Sequence, residues 1–92
     1  LIYTYLKEIV DQLRQELAKD SLNISTNVLK TCEKYKNKFE VEGFKVDYLE
    51  IVNAKNLKKL KKGETDILVA VAAYFKGVRL IDNLICDLSS SQ

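Results

Sequence analysis

The first segment of the chain repeats apolar residues at intervals of three and four positions: Ile2, Leu6, Ile9, Leu13 and Leu17. This spacing places all five side chains on one side of a helix, with polar and charged residues on the other. It predicts an amphipathic helix from residue 2 to about residue 18. A polar break at residues 19–23 then separates this helix from the next apolar stripe.

A second stripe follows at the same helical spacing: Ile24, Val28, Cys32, Tyr35 and Phe39. It predicts a second helix that ends between Phe39 and Glu42. Asn23 or Ser25 is placed to cap the first turn, since short polar side chains accept hydrogen bonds from the N–H groups there. Gly43 is placed to end the helix, because glycine tolerates the left-handed conformation common at helix ends.

The apolar period changes from helical to alternating just after Gly43. Residues 45–52 predict a strand, with Val46, Tyr48 and Glu50 on one side and Asp47, Leu49 and Ile51 on the other. Residues 53–66 are rich in lysine and contain glycine, which is typical of an exposed polar connection. One helical turn around Leu57 and Leu60 is an option within it.

A second and a third strand are predicted near the end of the chain. The apolar run at residues 67–75 fits a buried strand or a buried helix, and its length and flanking residues favour the strand. Lys76 and Gly77 suit a two-residue turn, after which residues 78–85 form the third strand. The result is a hairpin over residues 67–85, and residues 87–92 are expected to fray.

Together these elements predict an α+β fold in which two helices pack on one face of a small three-stranded antiparallel sheet that ends in a β-hairpin. Whichever register the strands adopt, the other face of the sheet keeps apolar residues. We therefore expect that face to be covered by a partner that these 92 residues do not contain.

The residue inventory excludes most familiar active sites. The chain has no His, which removes imidazole acid–base chemistry and His metal ligands. Cys32 and Cys86 are too far apart for a CxxC motif, and we expect both to be small buried hydrophobes. The longest apolar run is far short of the roughly 20 residues of a membrane-spanning helix, so we expect a cytoplasmic protein. Because the chain begins at Leu1 and has no Met, we expect a piece of a longer polypeptide.

Two groups of charged side chains are candidates for function. Five lysines could bind anions or nucleic acid: Lys55, Lys58, Lys59, Lys61 and Lys62. A solvated loop is the favoured interpretation, because the net charge is only +2 and no aromatic residues are interleaved with the run. We therefore expect no nucleic-acid partner. Five carboxylates are interpreted as surface charge rather than as a catalytic pair: Glu33, Glu40, Glu42, Asp47 and Glu50.

Two segments resemble one known family. Residues 43–52, Gly-Phe-Lys-Val-Asp-Tyr-Leu-Glu-Ile-Val, and residues 71–83, which end in Arg-Leu-Ile-Asp-Asn, are similar in order and spacing to the C-terminal part of pantothenate synthetases, the pantoate beta-alanine ligases. The family signature comprises Arg79, Leu80, Ile81, Asp82 and Asn83. The chain departs from the family pattern at Asn53 and Asn56, where Asp and Thr are usual, and Gly77 lies about one residue late.

The resemblance implies that residues 1–92 are the C-terminal lid domain of a two-step ligase whose N-terminal Rossmann-like catalytic domain is absent. That ligase joins pantoate to beta-alanine through a pantoyl adenylate, using ATP and magnesium. The family's His-x-Gly-His and Ser-Ser-Arg-Asn motifs, which hold the nucleotide, are missing from this sequence. The resemblance therefore implies no activity and no bound cofactor for the chain alone.

The implied partners are the missing catalytic domain and, in the full enzyme, pantoate, beta-alanine and ATP. The full enzyme would be a homodimer and the isolated chain a monomer. No catalytic, cofactor-binding or metal-binding residue is carried over to this sequence. Arg79, Asp82 and Asn83 either reach an anionic group across the domain interface or pair locally to fix the hairpin, and local pairing is favoured. The alternatives to a lid are a stand-alone interaction module, using residues 55–62 or the open sheet face, and a self-associating domain.

Overall fold

A computed structural model describes residues 1–89. Two helices precede a three-stranded antiparallel sheet in which β2 lies between β1 and β3. This arrangement confirms the predicted α+β fold. The elements, in chain order, are α1 (Ile2–Lys19), α2 (Ile24–Val41), β1 (Lys45–Asn53), β2 (Asp66–Phe75) and β3 (Val78–Asp87).

One hydrophobic core lies between the helices and the sheet. The predicted stripe of α1 faces it, with Leu6, Ile9 and Leu13 fully buried. Phe39 of α2 and Val69 of β2 meet these residues from the other elements and are also fully buried. Burying an aliphatic or aromatic side chain of this size contributes about 1.5–3 kcal/mol, so packing, more than helix propensity, holds α1 and α2 in place.

Gly43 ends α2, as predicted, through a Schellman motif. Its φ is +97°, in the left-handed region. Its N–H donates to the Glu40 carbonyl at 3.0 Å, and the Phe44 N–H donates to the Phe39 carbonyl at 3.0 Å. This pair of bonds satisfies carbonyl groups that the helix end would otherwise leave without partners.

The start of α2 differs from the prediction. Asn23 occupies the N-cap position, but its side chain makes no capping bond and donates instead to Asp20 Oδ2 at 2.7 Å. Ser25 lies inside the helix rather than at its cap. The Asn27 side chain, which is buried, donates to the Asp20 carbonyl at 3.0 Å. The short link between the helices is thus held by side chains that bond back to the end of α1.

A β-bulge at Asp47 corrects the predicted faces of β1. Val46 pairs with Ala73 and Tyr48 pairs with Ala72, so Asp47 is the extra residue. Val46 therefore lies on the helix side and Tyr48 on the opposite side, although strict alternation predicted one side for both. A bulge inserts one residue into one strand only, and this changes the alternation of everything before it.

Residues 53–57 form one isolated helical turn, closed by the Leu57 N–H, which donates to the Asn53 carbonyl at 2.8 Å. The turn reaches Leu57, as the sequence allowed, but not Leu60. The Asn53 side chain also accepts hydrogen bonds from the N–H groups of Lys55 and Asn56, at 2.8 and 3.2 Å. Lys59 forms an isolated bridge with Val52. Leu60 is buried and anchors the connection in the core.

The turn and the chain end complete the hairpin. Lys76 and Gly77 form the predicted two-residue turn, and both have positive φ, as a type I′ turn requires. The predicted fraying is wrong for residues 87–89. Asp87 belongs to β3, and the Leu88 N–H donates to the Thr65 carbonyl at 2.8 Å. Residues 90–92, which were also expected to fray, lie outside the described residues.

Candidate functional site

The two faces of the sheet differ sharply in how they are covered. The helix side bears buried residues such as Ile51, Val69 and Val71. The opposite side, here called the open face, bears the even-numbered residues of β2 from Leu68 to Tyr74, the odd-numbered residues of β3 from Arg79 to Ile85, and β1 residues including Tyr48. Neither α1 nor α2 packs on this side, so the side chains of the open face are free to contact a partner.

The open face is apolar and exposed along β3. Ile81 is 60% exposed and Ile85 is 68% exposed, and the two lie on the same side of the strand. Tyr74 is also exposed, beside them on β2. Ala72 is fully buried even on this face, because it pairs with the larger Tyr48 and Ile81 on the flanking strands. Clustered apolar side chains that remain accessible to water are typical of a surface that contacts another body.

An ion pair crosses the open face. Arg79 Nη2 of β3 donates to Asp47 Oδ2 of β1 at 2.9 Å, reaching over β2. The bulge is what turns the Asp47 carboxylate to this side of the sheet. The hydrogen bond to Asp47 raises the pKa of the Arg79 guanidinium, so this cation stays charged. The pair ties the two outer strands together and leaves a polar group at the edge of the apolar surface.

The family signature of β3 divides between the two faces. Leu80 packs against the core and Asp82 is half-buried on the helix side. Arg79, Ile81 and Asn83 lie on the open face. Asp82 Oδ1 accepts the Asn83 N–H at 2.8 Å, a bond between neighbours in the chain. The structure thus brings the signature together with Asp47 and Tyr48, which sequence reasoning did not place beside it.

The lysine run lies in the connection between β1 and β2. Lys55 Nζ is 3.2 Å from Asp66 Oδ2. Lys59, Lys61 and Lys62 line a shallow depression with the start of α2. All five lysines are exposed. This placement agrees with the interpretation as a solvated loop.

The two cysteines are half-buried rather than fully buried as expected. Burial, reinforced by the carboxylate of Glu50, raises the pKa of the Cys32 thiol to about 11. Cys32 is therefore a protonated thiol near neutral pH and a poor nucleophile. Among residues 1–89, no three His, Cys, Asp or Glu side chains are grouped so as to hold a metal ion. Neither α1 nor α2 is long and apolar enough to cross a membrane.

Comparison with known proteins gives a consistent result. The family model described as pantoate-beta-alanine ligase matches residues 2–85. A pantothenate synthetase of Cytophaga hutchinsonii is 40% identical over 90 residues, covering 95% of this chain and 29% of that relative. A pantothenate synthetase of Shewanella piezotolerans is 36% identical over 83 residues, covering 90% of this chain and 28% of the relative. The chain thus spans less than a third of the length of these curated relatives.

Proposed function

Because this chain belongs to the pantoate-beta-alanine ligase family, we propose that it is the C-terminal lid domain of an AMP-forming ligase that makes pantothenate from pantoate and beta-alanine. The lid would lie over the reaction cleft of a catalytic part that these 92 residues do not contain. The observation that carries this proposal is the open face, an apolar sheet surface that the chain's own helices leave uncovered.

The chemistry of such a ligase explains why a lid would be useful. A pantoate carboxylate oxygen attacks the α-phosphorus of ATP, and pyrophosphate leaves as pantoyl adenylate forms. The amine of beta-alanine then attacks the acyl carbon and AMP leaves. Water can attack the same acyl carbon and waste the adenylate. An apolar cover that displaces water from the cleft protects this intermediate.

The described residues supply covering and positioning rather than nucleotide or metal binding. They offer no carboxylate cluster suited to magnesium. In this proposal ATP and its metal are held by the rest of the enzyme. Arg79 is the one cation on the part of the open face formed by β2 and β3, and the bond to Asp47 holds it there. We assign to it the role of orienting the lid against an acidic group of the catalytic part.

The proposal also sets the cellular context. The partners would be the rest of the same enzyme, with pantoate, beta-alanine and ATP as its substrates. The enzyme would act in the cytoplasm as a homodimer, with no membrane or nucleic-acid partner.

A chimeric enzyme tests the proposal. The matching C-terminal region of the Cytophaga hutchinsonii relative, which is 40% identical, would be replaced by this chain. AMP and pantothenate would then be measured in the same reaction. We expect the chimera to release AMP and pantothenate in equal amounts, and the relative's truncated catalytic part to release excess AMP or to be inactive. A chimera that binds ATP normally but behaves like the truncated part would contradict the lid role.

Substitutions on the open face sharpen the test. Ile81→Asp places a charge on the open face and should raise the ratio of AMP to pantothenate, because water enters a poorly sealed cleft. Val41→Asp is the matched control, since Val41 is 87% exposed on α2, away from the sheet. Equal ratios for the two variants would favour the alternative of a stand-alone interaction module.

A further inference from the structure

The free edge of β3 is self-complementary, and we propose that two copies of this chain pair there in antiparallel register, joining their sheets into one six-stranded sheet. The paired stretch runs from Arg79 to Asp87, with Asn83 opposite Asn83 of the second copy. The pairing does not depend on the ligase activity. It would add to any contact made by the rest of the enzyme, and it contradicts the monomer that the family resemblance implies for the isolated chain.

The edge of β3 has hydrogen-bonding groups to offer. β3 is an outer strand, bonded to β2 on one side only. Phe75 and Val78 close the hairpin, and the Leu88 N–H bonds back to Thr65, so the even-numbered residues direct their N–H and C=O groups toward β2. The odd-numbered residues from 79 to 87 therefore direct theirs outward. An outer strand with such a row of groups is a template for pairing with another strand.

Geometry restricts the possible registers. Opposed residues of antiparallel strands point to the same face, so a two-fold axis must place one residue of β3 opposite itself. The two longest registers are centred on Asp82 and on Asn83. Centring on Asp82 sets two carboxylates against each other, which is destabilising. Centring on Asn83 sets two neutral amides against each other.

The Asn83 register also matches the side chains on the open face. It places Ile81 opposite Ile85 twice, and these are 60% and 68% exposed in the single chain. It places Arg79 opposite Asp87 twice, so each end of the pairing carries opposite charges. To reach Asp87 of the second copy, the Arg79 side chain would exchange its bond to Asp47, which it makes over β2 at 2.9 Å, and the Asp87 carboxylate would exchange its bonds from Ser89. Apolar pairs at the centre and ion pairs at the ends favour this register over its neighbours.

Two contacts oppose the pairing. At the end of the paired stretch, the Asp87 carbonyl already accepts a hydrogen bond from Arg14 Nη2 at 2.9 Å. The outward Asn83 N–H already bonds to Asp82 Oδ1 at 2.8 Å, and this bond must be exchanged for one to the second copy. Short-range side-chain bonds of this kind compete with strand pairing. We therefore expect a weak, reversible dimer rather than a permanent one.

Sedimentation equilibrium of the 92-residue chain, from about 10 μM to about 1 mM, tests the proposal. We expect a monomer–dimer equilibrium. Ile85→Lys should raise its dissociation constant at least about tenfold, because the two-fold symmetric dimer contains the Ile81–Ile85 contact twice and the variant loses both. Val78→Lys is the matched control. Val78 is an exposed apolar residue of β3, but it lies outside the paired stretch, so its replacement should leave the equilibrium unchanged. A monomer at every concentration, or equal weakening by both variants, would overturn the proposal.

Charge reversal and cross-linking identify the register without relying on a single variant. Arg79→Asp should weaken the dimer, and adding Asp87→Arg should restore it. In a background with Cys32→Ser and Cys86→Ser, Asn83→Cys should form a disulfide between copies on mild oxidation, since the Cα atoms of a hydrogen-bonded antiparallel pair lie about 5.5 Å apart. Ile81→Cys should not, because its two copies would be about 13 Å apart. Failure of the charge swap, together with absence of a disulfide between copies of the Asn83→Cys variant, would sink this register.

Discussion

Phe39 and Phe44 pack edge to face across the end of α2, with ring centroids 5.5 Å apart and planes at 79°. The two rings flank the left-handed Gly43, so the contact that accompanies the Schellman motif is also part of the core. The direction in which the chain leaves α2 and enters β1 therefore depends on one backbone conformation.

Gly43→Ala should destabilise the fold by about 1–2 kcal/mol, because an alanine pays a steric cost at positive φ. A Cβ at this position would meet Phe75 Cε1 at 3.5 Å, an ordinary contact, so the cost arises from the backbone and not from a clash. Urea unfolding of the two proteins measures it. Gly43→Asn is the control. It should lower the free energy of unfolding by less than Gly43→Ala does, since Asn tolerates the left-handed region. Equal losses for Ala and Asn would contradict this account.

Thr31→Val should stabilise the protein by about 1 kcal/mol. Thr31 is 2% exposed on α2, and its Oγ1 finds no hydrogen-bond partner among residues 1–89. Valine has the same shape and no hydroxyl to desolvate. The same substitution at the exposed Thr26 of α2 should change the free energy of unfolding by less than about 0.5 kcal/mol. A less stable Thr31→Val variant would show that the hydroxyl does make a bond.

Lys76→Asn should stabilise the hairpin by up to about 1 kcal/mol, because Lys76 has a φ of +50° at the first position of a type I′ turn, where Asn is favoured. Loss of the Lys76 contact with the Phe75 ring, at 5.4 Å, offsets part of this gain. Lys62→Asn is the matched control, since Lys62 also precedes a left-handed glycine but has no positive φ itself. Thermal unfolding measures the melting temperature of each variant. Equal shifts of the melting temperature for the two variants would contradict the turn assignment.

Stability should fall at high pH through Tyr35. Burial, together with the nearby carboxylate of Glu8, raises the pKa of Tyr35 to about 12 from 10.0, and its hydroxyl donates to Glu8 Oε1 at 3.3 Å. The folded state therefore retains a proton that the unfolded state loses. This contribution is complete below pH 10 and is lost as the pH rises from 10 to about 12.

Absorbance at 295 nm and urea unfolding, both as functions of pH, measure the effect. The stability advantage of the native protein over Tyr35→Phe should shrink between pH 10 and 12. Tyr3→Phe, which removes an exposed phenol, is the control and should retain the loss of stability between pH 10 and 12. An advantage that stays constant up to pH 12 would show that Tyr35 ionises as easily folded as unfolded.

The sequence predicted what depends on regular periods along the chain. The stripes of α1 and α2 and the Lys76–Gly77 turn are local patterns, and the structure confirms all three. The faces of β1 could not be predicted, because the bulge at Asp47 is defined only by pairing with β2. The Arg79–Asp47 ion pair was missed for the same reason.

Local sequence patterns also could not predict which single apolar residues of a polar segment are buried. Leu60 lies in a lysine-rich connection, and nothing near it indicated that it is buried in the core. Asn23 had the right residue type and position for a cap, but Asp20 offered its side chain a closer partner. The open face was anticipated, because the alternating strands carry more apolar residues than one side of a sheet can hold.

The extra residue at Asp47 decides which face of the sheet the side chains between α2 and the middle of β1 point to. Counting back from the buried Ile51 by strict alternation would direct Phe44 and Val46 to the open face. With the bulge, both point to the helix side, where Phe44 is buried in the core. Deleting this single residue would therefore turn Phe44 and Val46 away from the core, so a one-residue change in strand length would uncouple α2 from the sheet face that it covers.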